Sequence, residues 1–140
     1  MKILIICTGN TCRSQMVEGF LRSLDADLLV YSAGTRAEKV VNPFAVKAMH
    51  EIGIDISKQQ PKSVDLFLND SFDYVITVCG GAKEVCPVFT GAVQKRMHIG
   101  FEDPADATGT DDEKMVVYRK VRDQIIEEFT NFYRRVKSER

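Results

Sequence analysis

The fold of this chain is decided by one stretch near its start, which runs Lys2-Ile3-Leu4-Ile5-Ile6-Cys7-Thr8-Gly9-Asn10-Thr11-Cys12-Arg13-Ser14. The isoleucine-rich run before Cys7 predicts a buried strand. After the stretch, apolar residues recur at helical spacing and predict the buried side of a helix; they are Val17, Phe20, Leu21 and Leu24. Cys7 and Arg13 are therefore expected on a loop that joins a strand to a helix.

This loop has the chemistry of an oxyanion site. Backbone N–H groups at a helix N-terminus form a cradle for a tetrahedral anion, and Gly9 permits the turn that the cradle needs. Arg13 can close it with two charge-assisted hydrogen bonds. The same positive field, with a hydrogen bond from Ser14, favours the thiolate of Cys7, so we expect its pKa to fall below about 8.5. Cys7 is then a nucleophile towards phosphorus or arsenic; the alternative is a structural cysteine beside a chance arginine.

Composition limits the classes of protein that fit. The 140 residues suffice for one domain, residues 1–140, with its own core. With 19 basic and 20 acidic side chains, the chain lacks the charge expected of a nucleic-acid or membrane partner. The first residues enter a strand without a signal-peptide pattern, so we expect a cytoplasmic protein. Four cysteines in a reducing compartment indicate catalytic, redox or metal-binding roles.

Strands and helices alternate along the rest of the chain. The predicted elements are a strand over 28–32, a helix capped by Asn42 and stopped by Gly53, a short helix over 63–68, strands over 72–78 and 96–99, and a long helix opened by the capping box 110–113. Such alternation predicts a parallel sheet covered on both faces. Ligands bind beyond the carboxyl ends of the strands in sheets of this kind.

The stretch from Cys7 to Ser14 resembles the signature of the low-molecular-weight protein tyrosine phosphatase superfamily, which includes the thioredoxin-coupled arsenate reductases. The resemblance continues through 31–34, 42–43 and 103–104. It implies a three-layer α/β/α fold whose four-stranded parallel sheet has the order 2-1-3-4. The ends of the first and third strands, Cys7 and Cys79, would then meet at one edge, because neighbouring strands lie about 4.8 Å apart. It also implies that Cys7, Arg13 and Ser14 are catalytic, and that the oxyanion is bound by Thr8, Gly9, Asn10, Thr11, Cys12 and Arg13.

A second cysteine pair, Cys79 and Cys86, has six residues between its members. A disulfide needs Cα atoms roughly 4.4–6.8 Å apart, whereas seven residues of helix rise about 10.5 Å. The pair therefore cannot close while the segment stays helical, and Gly80 and Gly81 weaken a helix there. One alternative is that Cys79 is a core residue and Cys86 a surface residue without a shared role. Another is a zinc site that includes His98, although the spacing of the two cysteines fits structural zinc ligands poorly.

By the resemblance, three thiols act in sequence. Cys7 attacks arsenate, Cys79 attacks the Cys7 sulfur and releases arsenite, and Cys86 takes Cys79 into an exposed disulfide that thioredoxin reduces. Cys12 is expected to be a bystander and an off-pathway disulfide partner.

An acid after the last strand would protonate the leaving oxygen. Asp103 matches the Asp-Pro of the superfamily and is the favoured donor; Asp106 is its rival, and the remaining alternative is a turn lined with acids.

Departures from the phosphatase pattern favour a small inorganic oxyanion. Gln15 stands where the phosphatases usually have proline, and Ala105-Asp106 replaces their aromatic residues. Some related reductases bind potassium beside the loop, and Asn10, Glu18 and Ser32 match that site. Lys62, however, stands where an acid is expected, so we predict that Lys62 supplies the charge and that no metal or cofactor is required.

The leading prediction is an arsenate reductase that uses Cys7, Cys79 and Cys86, with thioredoxin as reductant, and that acts as a monomer. One alternative is a low-molecular-weight phosphatase that hydrolyses phosphate monoesters through a phosphocysteine. Another is a non-enzymatic binding protein that responds to oxyanions or thiols.

Overall fold

The computed structural model describes residues 1–79 and 90–139 of the chain. Its strands are β1 (Lys2–Cys7), β2 (Leu29–Gly34), β3 (Phe72–Thr77) and β4 (Val93–His98), and its helices are α1 (Arg13–Leu24), α2 (Pro43–His50) and α3 (Asp111–Ser138). Two short 3-10 helices, Val64–Phe67 and Pro104–Asp106, lie between them. No helix in this part of the chain is both long enough and apolar enough to cross a membrane.

The strands form one parallel sheet in the order β2-β1-β3-β4, which confirms the predicted topology. Cys7 pairs with Gly34 on one side of β1, and Ile6 pairs with Thr77 on the other. The chain therefore leaves β1, β2 and β3 at the same edge of the sheet. The predicted binding loop starts at this edge, where the strand order reverses.

The two faces of the sheet explain the unbroken apolar run of β1. Ile3, Ile5 and Cys7 belong to a core cluster shared with α1, α2 and α3, whereas Leu4 and Ile6 belong to a second cluster beneath the 3-10 helix Val64–Phe67. Because successive side chains of a strand point to opposite faces, a strand covered on both sides must be apolar throughout.

The predicted helix starts are confirmed, whereas α2 ends at His50, three residues before the predicted stop at Gly53. Asn42 caps α2 by accepting a 2.8 Å hydrogen bond from the Phe44 amide, and Gly53 follows the helix with φ +80°. Thr110 and Glu113 form both bonds of a capping box at the start of α3.

Two local predictions needed correction. The apolar spacing predicts Leu24 on the buried side of α1, but Leu24 is 37% exposed, because it is the last helical residue and extends beyond the core. Strand β4 begins at Val93, three residues before the predicted start. The prediction started too late because the first half of the strand is polar and shows no apolar pattern.

Candidate active site

The oxyanion loop, residues 7–14, leaves β1 and enters α1 at Arg13. Asn10 adopts a left-handed conformation with φ 57°, the one positive φ of a non-glycine residue in the described ranges. Asparagine tolerates this region better than most residues. The turn brings the amide of Asn10 to 3.2 Å from the sulfur of Cys7.

The sulfur of Cys7 is 2.8 Å from the Ser14 hydroxyl. Ser14 accepts a 2.7 Å hydrogen bond from the side-chain amide of Asn10, which leaves its own proton free to point at the sulfur. The pKa of Cys7 is lowered to about 6, chiefly by a hydrogen bond from the Cys79 side chain; Ser14 and Asn10 lower it further, while burial opposes them. Cys7 is therefore largely a thiolate at neutral pH, which a nucleophile requires.

Cys79 lies two residues after β3 and is 1% exposed. Its sulfur is 3.6 Å from the Thr8 hydroxyl, so the loop after β1 and the end of β3 hold it from two sides. The structure thus brings Cys7 and Cys79 together as the strand order predicted. Cys86 falls outside the described residues, and its disulfide with Cys79 stays a prediction.

Arg13 is 7% exposed and is fixed at both ends of its guanidinium. It donates a 3.1 Å hydrogen bond to the carbonyl of Phe101, and it lies 3.5 Å from the carboxylate of Asp103. Asp103 also caps the second 3-10 helix by accepting from the amide of Ala105 at 3.0 Å. Asp103 therefore faces the loop with its carboxyl group beside Arg13. Asp106 borders the same cavity, so the choice between the two acids stays a prediction.

An open cavity of about 700 Å³ lies above the loop. Five of the six residues predicted to bind the oxyanion border it: Thr8, Gly9, Thr11, Cys12 and Arg13. Asn10 does not, because its side chain is fully buried and turns inward. Asn10 consequently supports the loop from behind, and only its backbone faces the sulfur.

Arg36 and Glu38 also border the cavity, and sequence reasoning missed them. Their amides donate to the carbonyls of Thr8 and Gly9 at 2.9 and 3.0 Å, so the segment after β2 runs beside the oxyanion loop. A side chain at Gly34 would come within 2.4 Å of the Thr8 carbonyl, so this approach requires glycine. The predicted adjacency of β1 and β2 could have indicated these two residues, because the loops that follow neighbouring parallel strands must also be neighbours.

Cys12 is buried against α3, with its sulfur 3.8 Å from the Tyr118 hydroxyl. Burial raises the pKa of Cys12 to about 11, so Cys12 stays protonated at neutral pH, at which Cys7 is ionised. This difference supports the prediction that Cys12 is not the nucleophile.

The residues that match a potassium site of related reductases contact one another and a neighbouring arginine. Asn10 donates directly to Ser32 at 3.0 Å, and Glu18 lies 3.4 Å from Arg22. The other carboxylate oxygen of Glu18 is buried without a hydrogen-bond partner. The cavity beside it is bordered by Arg22, Lys58 and Lys62, which already supply positive charge there. Lys62 itself donates to the carbonyl of Gln60 at 3.0 Å.

The zinc alternative with Cys79, Cys86 and His98 stays untested, because Cys86 lies outside the described residues. The ring nitrogen Nδ1 of His98 is 2.7 Å from the Thr77 hydroxyl. Within residues 1–79 and 90–139, no group of three or more His, Cys, Asp or Glu side chains could hold a metal ion. His50 is exposed at the end of α2, away from the residues that border the loop cavity.

Comparisons of sequence and structure assign the chain to one family. The model of the low molecular weight phosphotyrosine protein phosphatase family matches residues 2–140, and the chain belongs to that family. Within it, the chain is 53% identical to an arsenate reductase of Halalkalibacterium halodurans and 48% identical to one of Bacillus subtilis, each over 124 residues and 88% of both chains. It also resembles a solved arsenate reductase in the reduced state, with a TM-score of 0.77, 34% identity and coverage of 96% of this chain and 98% of the other.

Proposed function

We propose that this protein reduces arsenate to arsenite through a relay of three cysteines. The observation that carries the proposal is the position of Cys79 beside the oxyanion loop: its sulfur is 3.6 Å from the Thr8 hydroxyl, and its side chain lowers the pKa of Cys7. A phosphatase of this architecture needs one thiol, whereas a reductase needs a second thiol that can reach the first. The relatives at 53% and 48% identity are named arsenate reductases, which supports the same function.

In the first step the loop amides and Arg13 hold arsenate above Cys7. The thiolate attacks arsenic, a sulfur–arsenic bond forms, and one arsenic–oxygen bond breaks. Asp103 in its protonated form supplies a proton so that the oxygen leaves as water. Arg13, which binds the anion, lies 3.5 Å from Asp103, which donates the proton to the leaving oxygen.

In the second step the sulfur of Cys79, having lost its proton, attacks the sulfur of Cys7. The sulfur–arsenic bond breaks, and its electron pair stays on arsenic, which leaves as arsenite in oxidation state III. The two thiols are oxidised to the Cys7–Cys79 disulfide, so two electrons balance the reduction of arsenic. Cys86 then attacks Cys79, restores the Cys7 thiolate and closes the Cys79–Cys86 disulfide, which the two thiols of thioredoxin reduce.

The direct test couples the purified protein to thioredoxin, thioredoxin reductase and NADPH. We expect NADPH oxidation that depends on arsenate and yields one arsenite per NADPH. Phosphate is the matched control, because it has the same shape and charge but is not reduced by thiols. Binding of arsenate without NADPH oxidation would favour the binding-protein alternative.

Phosphate monoester hydrolysis is a second candidate function of the same site. The family model describes phosphotyrosine phosphatases, and Cys7, Arg13 and Asp103 together provide a nucleophile, an anion clamp and an acid. Such a reaction would pass through a phosphocysteine and need no reductant. Hydrolysis of p-nitrophenyl phosphate without thioredoxin would demonstrate it.

We further infer that the protein is a single domain over residues 1–140, acts as a monomer and works in the cytoplasm. A cycle that ends in thioredoxin requires a compartment that keeps thiols reduced. Size-exclusion chromatography with light scattering tests the monomer, and cell fractionation tests the location.

A further inference from the structure

Gln15 departs from the phosphatase pattern and has no role in the chemistry above, yet its side chain is hydrogen-bonded to three residues, Asn10, Gln59 and Gln60. It lies in the first turn of α1 and is fully buried. A buried amide without hydrogen bonds would be destabilising, so its partners indicate what it does.

The amide nitrogen of Gln15 bonds to two different parts of Asn10. It donates to the backbone carbonyl of Asn10 at 3.0 Å and to the side-chain carbonyl of Asn10 at 3.0 Å. It also lies 3.1 Å from the carbonyl of Gln60. One group that holds both carbonyls of the same residue fixes the side chain of that residue relative to its backbone.

Gln15 is in turn held by Gln59. The side-chain amide of Gln59 donates to the side-chain oxygen of Gln15 at 2.7 Å and to its backbone oxygen at 3.1 Å. The first of these bonds orients the Gln15 amide so that its nitrogen faces Asn10 and its oxygen faces Gln59.

Asn10 passes this constraint on to Cys7. In its left-handed conformation it directs its amide at the Cys7 sulfur, and its side chain donates to Ser14, whose hydroxyl lies 2.8 Å from that sulfur. Both contacts require the backbone and the side chain of Asn10 to be oriented together. The Lys62 amide bonds only to the side-chain oxygen of Asn10, at 2.8 Å, whereas the Gln15 amide bonds to both carbonyls and so links the two parts.

We propose that Gln15 is a positioning residue that locks Asn10 in its left-handed conformation and thereby keeps the Asn10 amide and the Ser14 hydroxyl on the Cys7 sulfur, with Gln59 as its support. Gln15 does not touch the reacting atoms. Its effect is on the state of the sulfur and on the shape of the loop.

The first test replaces Gln15 by methionine, which is similar in length but cannot donate. Alkylation of Cys7 by iodoacetamide, followed on the Cys7 peptide by mass spectrometry across pH, reports the thiolate directly. Because a hydrogen bond to a charged group is worth about a factor of ten or more, we expect the midpoint to rise by about one pH unit from the value near 6. Phosphate affinity should weaken in parallel.

The charged and titratable groups around Cys7 remain in place in this variant; they are Cys12, Arg13, Arg36, Glu38, Cys79, Glu102, Asp103 and Asp106. A shift of the midpoint would therefore come from the Asn10 and Ser14 contacts.

Val17→Ala is the matched control for stability. Val17 is fully buried on the same helix, but its contacts are apolar core contacts, so the variant should lose stability and keep the midpoint of Cys7 alkylation. If Val17→Ala raised the midpoint as much as Gln15→Met, general destabilisation would explain the effect and the proposal would fail.

Two further variants keep the proposal testable if Gln15→Met folds poorly. Gln59→Ala leaves Gln15 in place and should raise the midpoint by a smaller amount in the same direction. Asn10→Ala should raise it at least as much as Gln15→Met, and the double variant should be no worse than Asn10→Ala alone, because both changes break one network. Additive effects, or an unchanged midpoint in Gln59→Ala, would overturn the proposal.

This inference rests on the proposed function only for its effect on turnover. Alkylation reports the Cys7 sulfur whatever substrate the enzyme uses, so a shifted midpoint without arsenate reduction would leave the positioning role intact and reject the reductase alone.

Discussion

The side chain of Cys79, which follows β3, lowers the pKa of Cys7 at the end of the neighbouring strand β1, although the two residues lie 72 positions apart in the chain. One contact thereby serves two purposes. It stabilises the thiolate of the proposed nucleophile, and it keeps the second thiol beside the sulfur that it attacks in the proposed relay.

Cys79→Ala should raise the pKa of Cys7, because the hydrogen bond from Cys79 is the largest cause that lowers it. The thiolate is the reactive form, and a higher pKa leaves less of it between pH 6 and 8. The variant should therefore be alkylated more slowly at Cys7 in this range. Cys12→Ala removes the other buried thiol of the site and serves as the control. An unchanged alkylation profile in Cys79→Ala would contradict the contact.

Cys7→Ser should abolish arsenate reduction and any phosphatase activity, because a serine hydroxyl is not ionised at neutral pH. The loop amides and Arg13 remain, so affinity for phosphate, measured by calorimetry, should largely persist. Substantial turnover in this variant would exclude Cys7 as the nucleophile.

Arg13→Lys should impair activity severely while the protein stays folded. Arg13 donates to the carbonyl of Phe101, approaches Asp103 and can clasp the anion with one planar group. Lysine keeps the charge but cannot make all of these contacts at once. We expect the KM for arsenate to rise and kcat to fall. Arg36→Lys is the matched control on the rim of the same cavity, and it should be much milder.

Asp103→Asn should slow loss of the leaving oxygen by about 10²–10⁴-fold with little change in substrate affinity. The matched variant is Asp106→Asn, which removes the other acid of the cavity. Single-turnover kinetics with an aryl phosphate measures the step. If Asp106→Asn proves the more damaging change, Asp106 is the acid and Asp103 only orients Arg13.

Cys79→Ser and Cys86→Ser should stop arsenate reduction at different stages while both retain hydrolysis of a small aryl phosphate. Cys79→Ser should form no disulfide with Cys7, whereas Cys86→Ser should complete one turnover and accumulate Cys7–Cys79. Mass spectrometry after one equivalent of arsenate separates these outcomes. Full multiple turnover of arsenate in Cys86→Ser would exclude the three-thiol relay.

Much of the fold was encoded by patterns of short range. The isoleucine run of β1, the Asn42-Pro43 start of α2 and the capping box at Thr110 each determine a local structure, because their decisive contacts lie within a few residues. The order of a parallel sheet then follows from connection rules, and it was enough to bring Cys7 and Cys79 to one edge.

Only the tertiary structure decided how the site is supported. Asn10 bonds to the amide of Lys62, 52 residues away, Cys12 contacts Tyr118 across 106 residues, and Arg13 bonds to the carbonyl of Phe101 across 88. No local pattern encodes such contacts, because they depend on where loops from different strands come to lie. The sequence by itself therefore determined which residues we predict to carry the chemistry, and the packed fold determined which residues contact and orient them.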